Sequence, residues 1–363
     1  MILSRTPFRI SFFGGGTDYP AWYRQHGGAV LTATIDKYCY LTCRYLPPFF
    51  EHRIRVVYSR IECCNDVDEI AHPAVRETLR FLEIRRGVEI HHDGDLPARS
   101  GMGSSSSFTV GLLHSLHTLQ GRMLTKSELA SQAMLIEQER LSEHVGSQDQ
   151  VAVAFGGLNQ VCFQPTGGFS VHPVVISAER LAEFNAHLML YYTGIKRTAS
   201  DVAGTYISNL DQMHRQLRAA QGLVGEGLSV LGGRGELLSF GELLHEAWSA
   251  KREMSPRVSS AEIDSIYAAA REAGALGGKL LGAGGGGFML LFVPPSRRTA
   301  VRERLRELIH VPFKFEFSGS QIVLLDRESD YAEEERSRAT EPPRKFREQA
   351  DGETRARTWK REH

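Results

Sequence analysis

The chain has 363 residues, 42% hydrophobic and 24% charged, with 43 Lys and Arg balanced by 43 Asp and Glu. That length favours two domains, and the composition is that of an ordinary globular protein. A formal net charge of zero excludes broad electrostatic capture of nucleic acid or acidic membranes, while leaving room for a local basic pocket.

From the N-terminus, residues 5–13 alternate weakly and run into "GGGTDY", Gly14 to Tyr19, a strand entering a tight glycine turn. Arg5 and Arg9 break the apolar character needed for a signal peptide, and no apolar stretch is long enough to span a bilayer, so a soluble cytoplasmic protein is expected. Ala29 to Leu46 is rich in β-branched and aromatic residues and reads as one or two strands; "HRIRVVYS" and "GVEIHHDGDLP" add more. The five cysteines are odd in number and show no paired CxxC spacing, so reduced thiols are expected rather than disulfides or zinc.

"LPARSGMGSSSSFTVGLL", Leu96 to Leu113, sets glycines and four serines directly against a helical apolar pattern that runs through Phe108, Leu112, Leu116 and Leu119. Glycines before a helix start let the main chain approach an anion, and unpaired N–H groups with serine hydroxyls supply donors, so the stretch is a phosphate cradle in chemical terms. It lacks the Gly-Lys-Ser/Thr of a Walker loop and the second half of a dinucleotide fingerprint, and taken alone it reads equally as a flexible linker with a serine cap. A second helix is predicted over Lys126 to Ser142 with Thr125 as N-cap, and "QVAVAFGGLNQVCF" returns to strands.

The chain passes into a second unit near Val174–Arg180. "AHLMLYYTG" reads as a strand. Helices are expected from Ala199 to Gly274, interrupted at "GEGLSVLGGRGE". "GGKLLGAGGGGFMLLFV", Gly277 to Val293, is a glycine run between a helix and an apolar strand; close backbone approach explains it better than a simple turn. A helix at "SRRTAVRERLREL" and strands in "FKFEFSGSQIVLL" close the pattern. The mixture has no strict βαβ rhythm, which makes α+β the fold class. Three regions follow: 1–175, 176–326, and a charged tail over 327–363 that cannot bury enough apolar surface to order itself.

Together "RTPFRISFFGGGTDYPAW", "GMGSSSS" and "GGKLLGAGGGGF" resemble the motifs of the GHMP kinase superfamily, in order and at matching distances over residues 5–325. Within it, "FFGGGTDYP", "GSQDQ", "YYTGIKR" and the third glycine run look like those of the bacterial heptose 7-phosphate kinases. Galactokinases usually carry "GEHTDY" in the first motif, where this chain has Gly15 and Gly16. The resemblance implies an N-terminal domain like the second domain of ribosomal protein S5 and a ferredoxin-like C-terminal domain, with ATP and a sugar phosphate between them.

It further implies that ATP phosphates lie on Arg99, Ser100, Gly101, Met102, Gly103, Ser104, Ser105 and Ser106. Mg²⁺ would be ligated by Ser105 and Glu139, with Glu137 and Glu143 as rivals. The catalytic pair would be Asp149, accepting or orienting the acceptor's proton, and Arg9, stabilising charge on the transferring group. Gly15, Gly16, Thr17, Asp18, Gly284 and Gly285 would contact the sugar, and Lys196 and Arg197 its phosphate. The implied reaction is phosphorylation of the anomeric hydroxyl of D-glycero-D-manno-heptose 7-phosphate for nucleotide-activated heptose and surface polysaccharide. Alternatives are a fucose or galactose kinase and a non-catalytic sugar- or nucleotide-sensing homologue. No nucleic-acid or membrane partner is expected, and a homo-oligomer stays open.

Overall fold

The computed structural model describes residues 1–98, 100–195, 213–234, 236–326 and 331–340. The β-branched and aromatic N-terminal stretch forms β1 (Ile2–Phe13) and β2 (Gly28–Tyr45), joined through α1 (Pro20–His26) and paired antiparallel from Ile2 opposite Cys43 to Phe13 opposite Leu31. Then come β3 (Ile54–Val57), β4 (Ile61–Cys64), α2 (Pro73–Phe81), β5 (Val88–Gly94), α3 (Ser104–Leu119) and α4 (Lys126–Leu135). A π turn, Ile136–Arg140, extends α4 and is followed by α5 (Gln148–Phe155), β6 (Leu158–Phe163) and β7 (Phe169–Pro173). The second half runs α6 (Ala178–His187), β8 (Leu188–Tyr192), α7 (His214–Ser229), α8 (Leu238–Met254), α9 (Ala261–Glu272), β9 (Gly277–Leu280) and β10 (Phe288–Phe292). It ends in α10 (Arg298–Arg304), β11 (Ile309–Val311), β12 (Phe315–Glu316), β13 (Gln321–Leu325) and α11 (Ala332–Thr340).

Among the described residues the strands form two sheets, the α+β arrangement expected. One has nine strands around the path β13-β1-β2-β5-β3-β4, and the other is the antiparallel β11-β8-β10-β9. Helix α3 lies against β1 and β2. A Cβ on Gly111 would stand 2.9 Å from Thr6 Oγ1, and Ser4 Oγ donates to Gly111 O at 3.1 Å. Ser106 and Ser107, which look flexible in the sequence, are buried in the first turns of α3. Ser107 Oγ donates to Pro7 O at 2.8 Å, which ties the helix start to β1.

Four expectations change. The region 176–326 gives its last two strands to the N-terminal sheet, since β12 pairs with β2 and β13 with β1. Of the stretches read as strand, Gln150–Phe155 in "QVAVAFGGLNQVCF" is helical and belongs to α5, and Ala186 and His187 of "AHLMLYYTG" close α6, which Ser177 caps by accepting from Arg180 N. The stretch "GEGLSVLGGRGE" does break the helices, but at Gly233 (φ 83°) and not at its first glycines: Gly227 lies inside α7, and a Cβ there would stand 2.6 Å from Phe13 Cε2. The glycine permits close helix-to-strand packing. Finally, the described part of the tail, α11, is held to the N-terminal sheet by Gly87 N donating to Glu335 Oε1 at 2.7 Å. No helix of the described residues is long and apolar enough to cross a membrane.

Candidate active site

Helix α3 begins at Gly103, which is left-handed at φ 74° and makes no side-chain cap. A Cβ there would lie 2.9 Å from Arg9 Cγ, so both conformation and space require glycine. The helix start therefore offers uncapped N–H groups and the positive end of its dipole. Behind it, Gly101 meets the third glycine run. A Cβ on Gly101 would be 2.6 Å from Leu281 O, and one on Gly282 would be 2.5 Å from Gly101 Cα. Two loops, one from each half of the chain, thus touch backbone to backbone.

Asp149 sits in the first turn of α5, where the dipole favours a carboxylate. Arg9, in β1, grips it in a fork: Nε donates to Oδ1 at 2.6 Å and Nη2 to Oδ2 at 2.6 Å. The third arm, Nη1, donates to Gly101 O at 2.6 Å. The side chain of Arg9 is 5% exposed and that of Asp149 24%, so the carboxylate keeps a solvent-facing part while its guanidinium is fixed. A Cβ on Gly103 would be 3.6 Å from Asp149 Oδ2, which places the carboxylate against the start of α3.

The candidate cation ligands are shifted from those expected. Ser106 Oγ donates to Glu137 Oε2 at 2.9 Å, and Gln150 Nε2 donates to the same oxygen. Glu137 continues the buried stripe of Leu129, Ala130, Ala133 and Ile136 from α4 into the π turn, while Glu139 is exposed and outside the cleft. Ser105 lines the cleft but is exposed, while Ser106 is buried beside the carboxylate. The serine and glutamate that the cleft brings together are thus Ser106 and Glu137, where Ser105 and Glu139 were expected; Glu143 lines the cleft farther along the chain. Burial pushes the Glu137 carboxyl up to about 7, against the lowering effect of its hydrogen bonds from Gln150 and Ser106. Its Oε1 is buried without a partner among the described residues. One hydroxyl, one carboxylate and a spare buried oxygen fit a hard divalent cation such as Mg²⁺, which takes few protein oxygens when phosphates and water complete its shell.

These groups line one cavity of about 330 Å³, bounded on the far side by α7, α8 and the loop after β9. Gly15, Gly16 and Asp18 line it as well. Asp18 is 1% exposed: its Oδ1 accepts from Gly16 N at 2.9 Å and its Oδ2 from Gln148 N at 3.3 Å. It binds two loops of the cleft together, and burial followed by the nearby Asp149 charge raises its pKa.

Several expected contacts lie elsewhere. Thr17 is fully buried outside the cavity, its hydroxyl donating to Gly14 O at 2.8 Å and Ala29 O at 3.0 Å, so it holds the turn and does not reach the cleft. Gly284 and Gly285 pack on the Val258 backbone, and Gly282 and Ala283 line the cavity in their place. Ser100 and Met102 are buried behind the loop, with Met102 O accepting from Arg9 N at 3.0 Å. Arg99, Lys196 and Arg197 lie outside the described residues.

Sequence reasoning missed Gln148, Gln150, Lys251 and Lys279, all close to these groups. Lys279 stands inside the third glycine run, where a lone cation in an apolar strand was a usable signal. Lys251, on an amphipathic helix, had none. The cleft thus joins a helix start, a buried serine–glutamate pair and a carboxylate oriented by arginine.

A family model described as the GHMP kinases N terminal domain matches residues 69–157, and one described as GHMP kinases C terminal matches residues 233–310. The chain is 30% identical over 317 residues to a D-glycero-alpha-D-manno-heptose 7-phosphate kinase of Campylobacter jejuni, across 84% of this chain and 93% of that one. It is 25% identical to a galactokinase of Pyrococcus furiosus, across 89% and 97%. A solved D-glycero-D-manno-heptose 1-phosphate kinase of Bacteroides thetaiotaomicron superposes with a TM-score of 0.72 at 25% identity, covering 90% of this chain and all of that one.

Proposed function

The chain belongs to the GHMP kinases, as a sugar kinase of that family, and from that premise we propose that it transfers the γ-phosphoryl group of ATP to the anomeric hydroxyl of D-glycero-D-manno-heptose 7-phosphate, giving the 1,7-bisphosphate. The observation that carries the catalytic part is the Arg9–Asp149 fork set against the start of α3. Phosphates on the N–H groups of Ser104–Ser106 would face the solvent side of Asp149. That carboxylate would receive and orient the acceptor hydroxyl, taking its proton as the bond to phosphorus forms. Arg9 keeps the carboxylate in one rotamer and spreads positive charge toward the transferring group. Ser106 and Glu137 would hold Mg²⁺, which supplies charge neutralisation on the phosphates when bound. Positioning and fixed charge then carry the reaction, with no covalent enzyme intermediate.

The substrate reading draws on the Campylobacter relative's name and on Gly15, where only the Gln148 amide comes within 4 Å of where a Cβ would stand. The printed names of the two heptose relatives differ in the position of the sugar's phosphate, so the product's connectivity is part of the test. ADP release is to be measured across heptose 7-phosphate, heptose 1-phosphate, unphosphorylated heptose, galactose and fucose, with the product identified by phosphorus–proton NMR correlation. Heptose 7-phosphate should give the highest kcat/KM, with the new phosphate on the anomeric carbon. A neutral hexose outperforming it would overturn the substrate, and no ADP release with any sugar would leave a sensing protein.

A further inference from the structure

Two ammonium groups stand in the cleft with no role in the chemistry described. Lys251, on α8, donates to Gly282 O and, at 3.5 Å, to Leu280 O. Lys279, in β9 and 6% exposed, donates to Phe12 O at 2.8 Å. An ammonium carries three donors, so one on Lys251 (three minus two) and two on Lys279 (three minus one) find no acceptor among the described residues. Neither forms an ion pair within 4.0 Å with a described carboxylate. Burial depresses both, Lys251 to about 8 and Lys279 well down, and the neighbouring Arg9 charge adds to the effect; only Asp18 acts the other way. Cations buried without counter-charge destabilise a fold unless an anion completes them.

The same corner of the cavity has room for that anion. A Cβ on Gly15 would meet only Gln148 Nε2, at 3.9 Å. Beside Gly16 the space is taken, since a Cβ there would lie 2.8 Å from Leu217 Cδ2 and 3.7 Å from Met254 Cε, so the opening is at Gly15; Met254 follows Lys251 by one helical turn on the same face of α8. Gly15, Gly16, Met254, Lys251 and Lys279 all line the one cavity. We infer that Lys251 and Lys279 form the subsite for the acceptor's own phosphate monoester, in the cavity that Gly15 also lines. This rests on the reading of the chain as a sugar-phosphate kinase. The competing assignment gives both lysines to the transferring phosphoryl group.

Lys251→Gln, Lys279→Met and the charge-keeping Lys251→Arg are compared on heptose 7-phosphate and on unphosphorylated heptose. Loss of one charge-assisted bond should lower kcat/KM for the phosphorylated acceptor by roughly 10- to 150-fold. The unphosphorylated acceptor and the KM for ATP should change by no more than about threefold, and Lys251→Arg should keep most of the preference. Equal losses on both acceptors would overturn the subsite and favour the competing assignment. A second arm does not depend on turnover. With magnesium and a non-hydrolysable ATP analogue filling the α3 site, inorganic phosphate should raise the melting temperature of the wild type and not of Lys251→Gln. Absence of that shift in the wild type, or an undiminished shift in the variant, would also overturn the subsite. If the wild type prefers a neutral sugar, the substrate reading fails, and the phosphate titration alone decides the subsite.

Discussion

Replacing Glu137 by Gln keeps the shape of the side chain and removes its ability to ionise. Burial moves this carboxyl from 4.5 up to about 7 in the folded chain, which at 1.36 kcal/mol per pH unit is on the order of 3 kcal/mol. The sign follows from proton counting. Between these two values the unfolded chain has released a proton that the folded chain retains, so stability is fully present below pH 4.5, falls as pH rises, and levels off above about 7. With an unfolding entropy of about 2.1 cal/mol/K per residue over 363 residues, the full effect is roughly 4 °C in melting temperature, and roughly 3 °C of it falls between pH 5 and 7.5. Melting followed by fluorescence in a metal chelator should therefore show a downward slope in the wild type that is shallower by that amount in Glu137→Gln. Magnesium with ADP should raise the wild-type melting temperature at pH 7.5 by mass action and raise that of the variant much less. Identical pH slopes would refute the buried ionisation, and an equal magnesium response would remove Glu137 from the cation site.

Asp149→Asn should lower turnover by about 10²- to 10⁴-fold while the affinity for an ATP analogue stays within a few-fold, measured by calorimetry; full turnover would exclude the carboxylate from the reaction. Gly282→Ala puts a Cβ 2.5 Å from Gly101 Cα at a φ of 70°. It should lose about 1–3 kcal/mol in urea titration and raise the KM for ATP. Gly222→Ala, inside α7 with nothing within 4 Å, should instead stabilise by about 0.5–1 kcal/mol. Thr17→Val removes the hydroxyl that Ala29 N donates to, while Gly14 O keeps its bond from Thr17 N, and should cost about 1–3 kcal/mol of stability with the acceptor KM little changed; the reverse pattern would return Thr17 to substrate contact.

Local chemistry that reads from residue type alone was legible in the sequence. Glycines ahead of a buried helix, an arginine in β1 and an aspartate in "GSQDQ" are visible as residues, and their convergence came from the family resemblance. What the sequence hid depends on packing. Glu137 falls on the 3.6-residue stripe of Leu129, Ala130, Ala133 and Ile136, yet a glutamate reads as solvent-facing, and only its packing against Ser106 and Gln150 shows that it is buried. Gly227 looks like a breaker, yet it is the point where α7 meets the Phe13 ring. Thr17 sits between cavity-lining neighbours and turns into the core, because a hydroxyl can satisfy the carbonyls of Gly14 and Ala29. Lys251 belongs to the site through the way α8 packs over the cleft.

The most direct measurement is a crystal structure of the chain with magnesium, a non-hydrolysable ATP analogue and D-glycero-D-manno-heptose 7-phosphate. The account predicts the triphosphate on the N–H groups of Ser104–Ser106, the cation between Ser106 and Glu137, and the anomeric oxygen about 3 Å from Asp149, in line with the terminal phosphorus. A triphosphate bound away from α3, or an acceptor whose hydroxyls all lie beyond reach of Asp149, would contradict it.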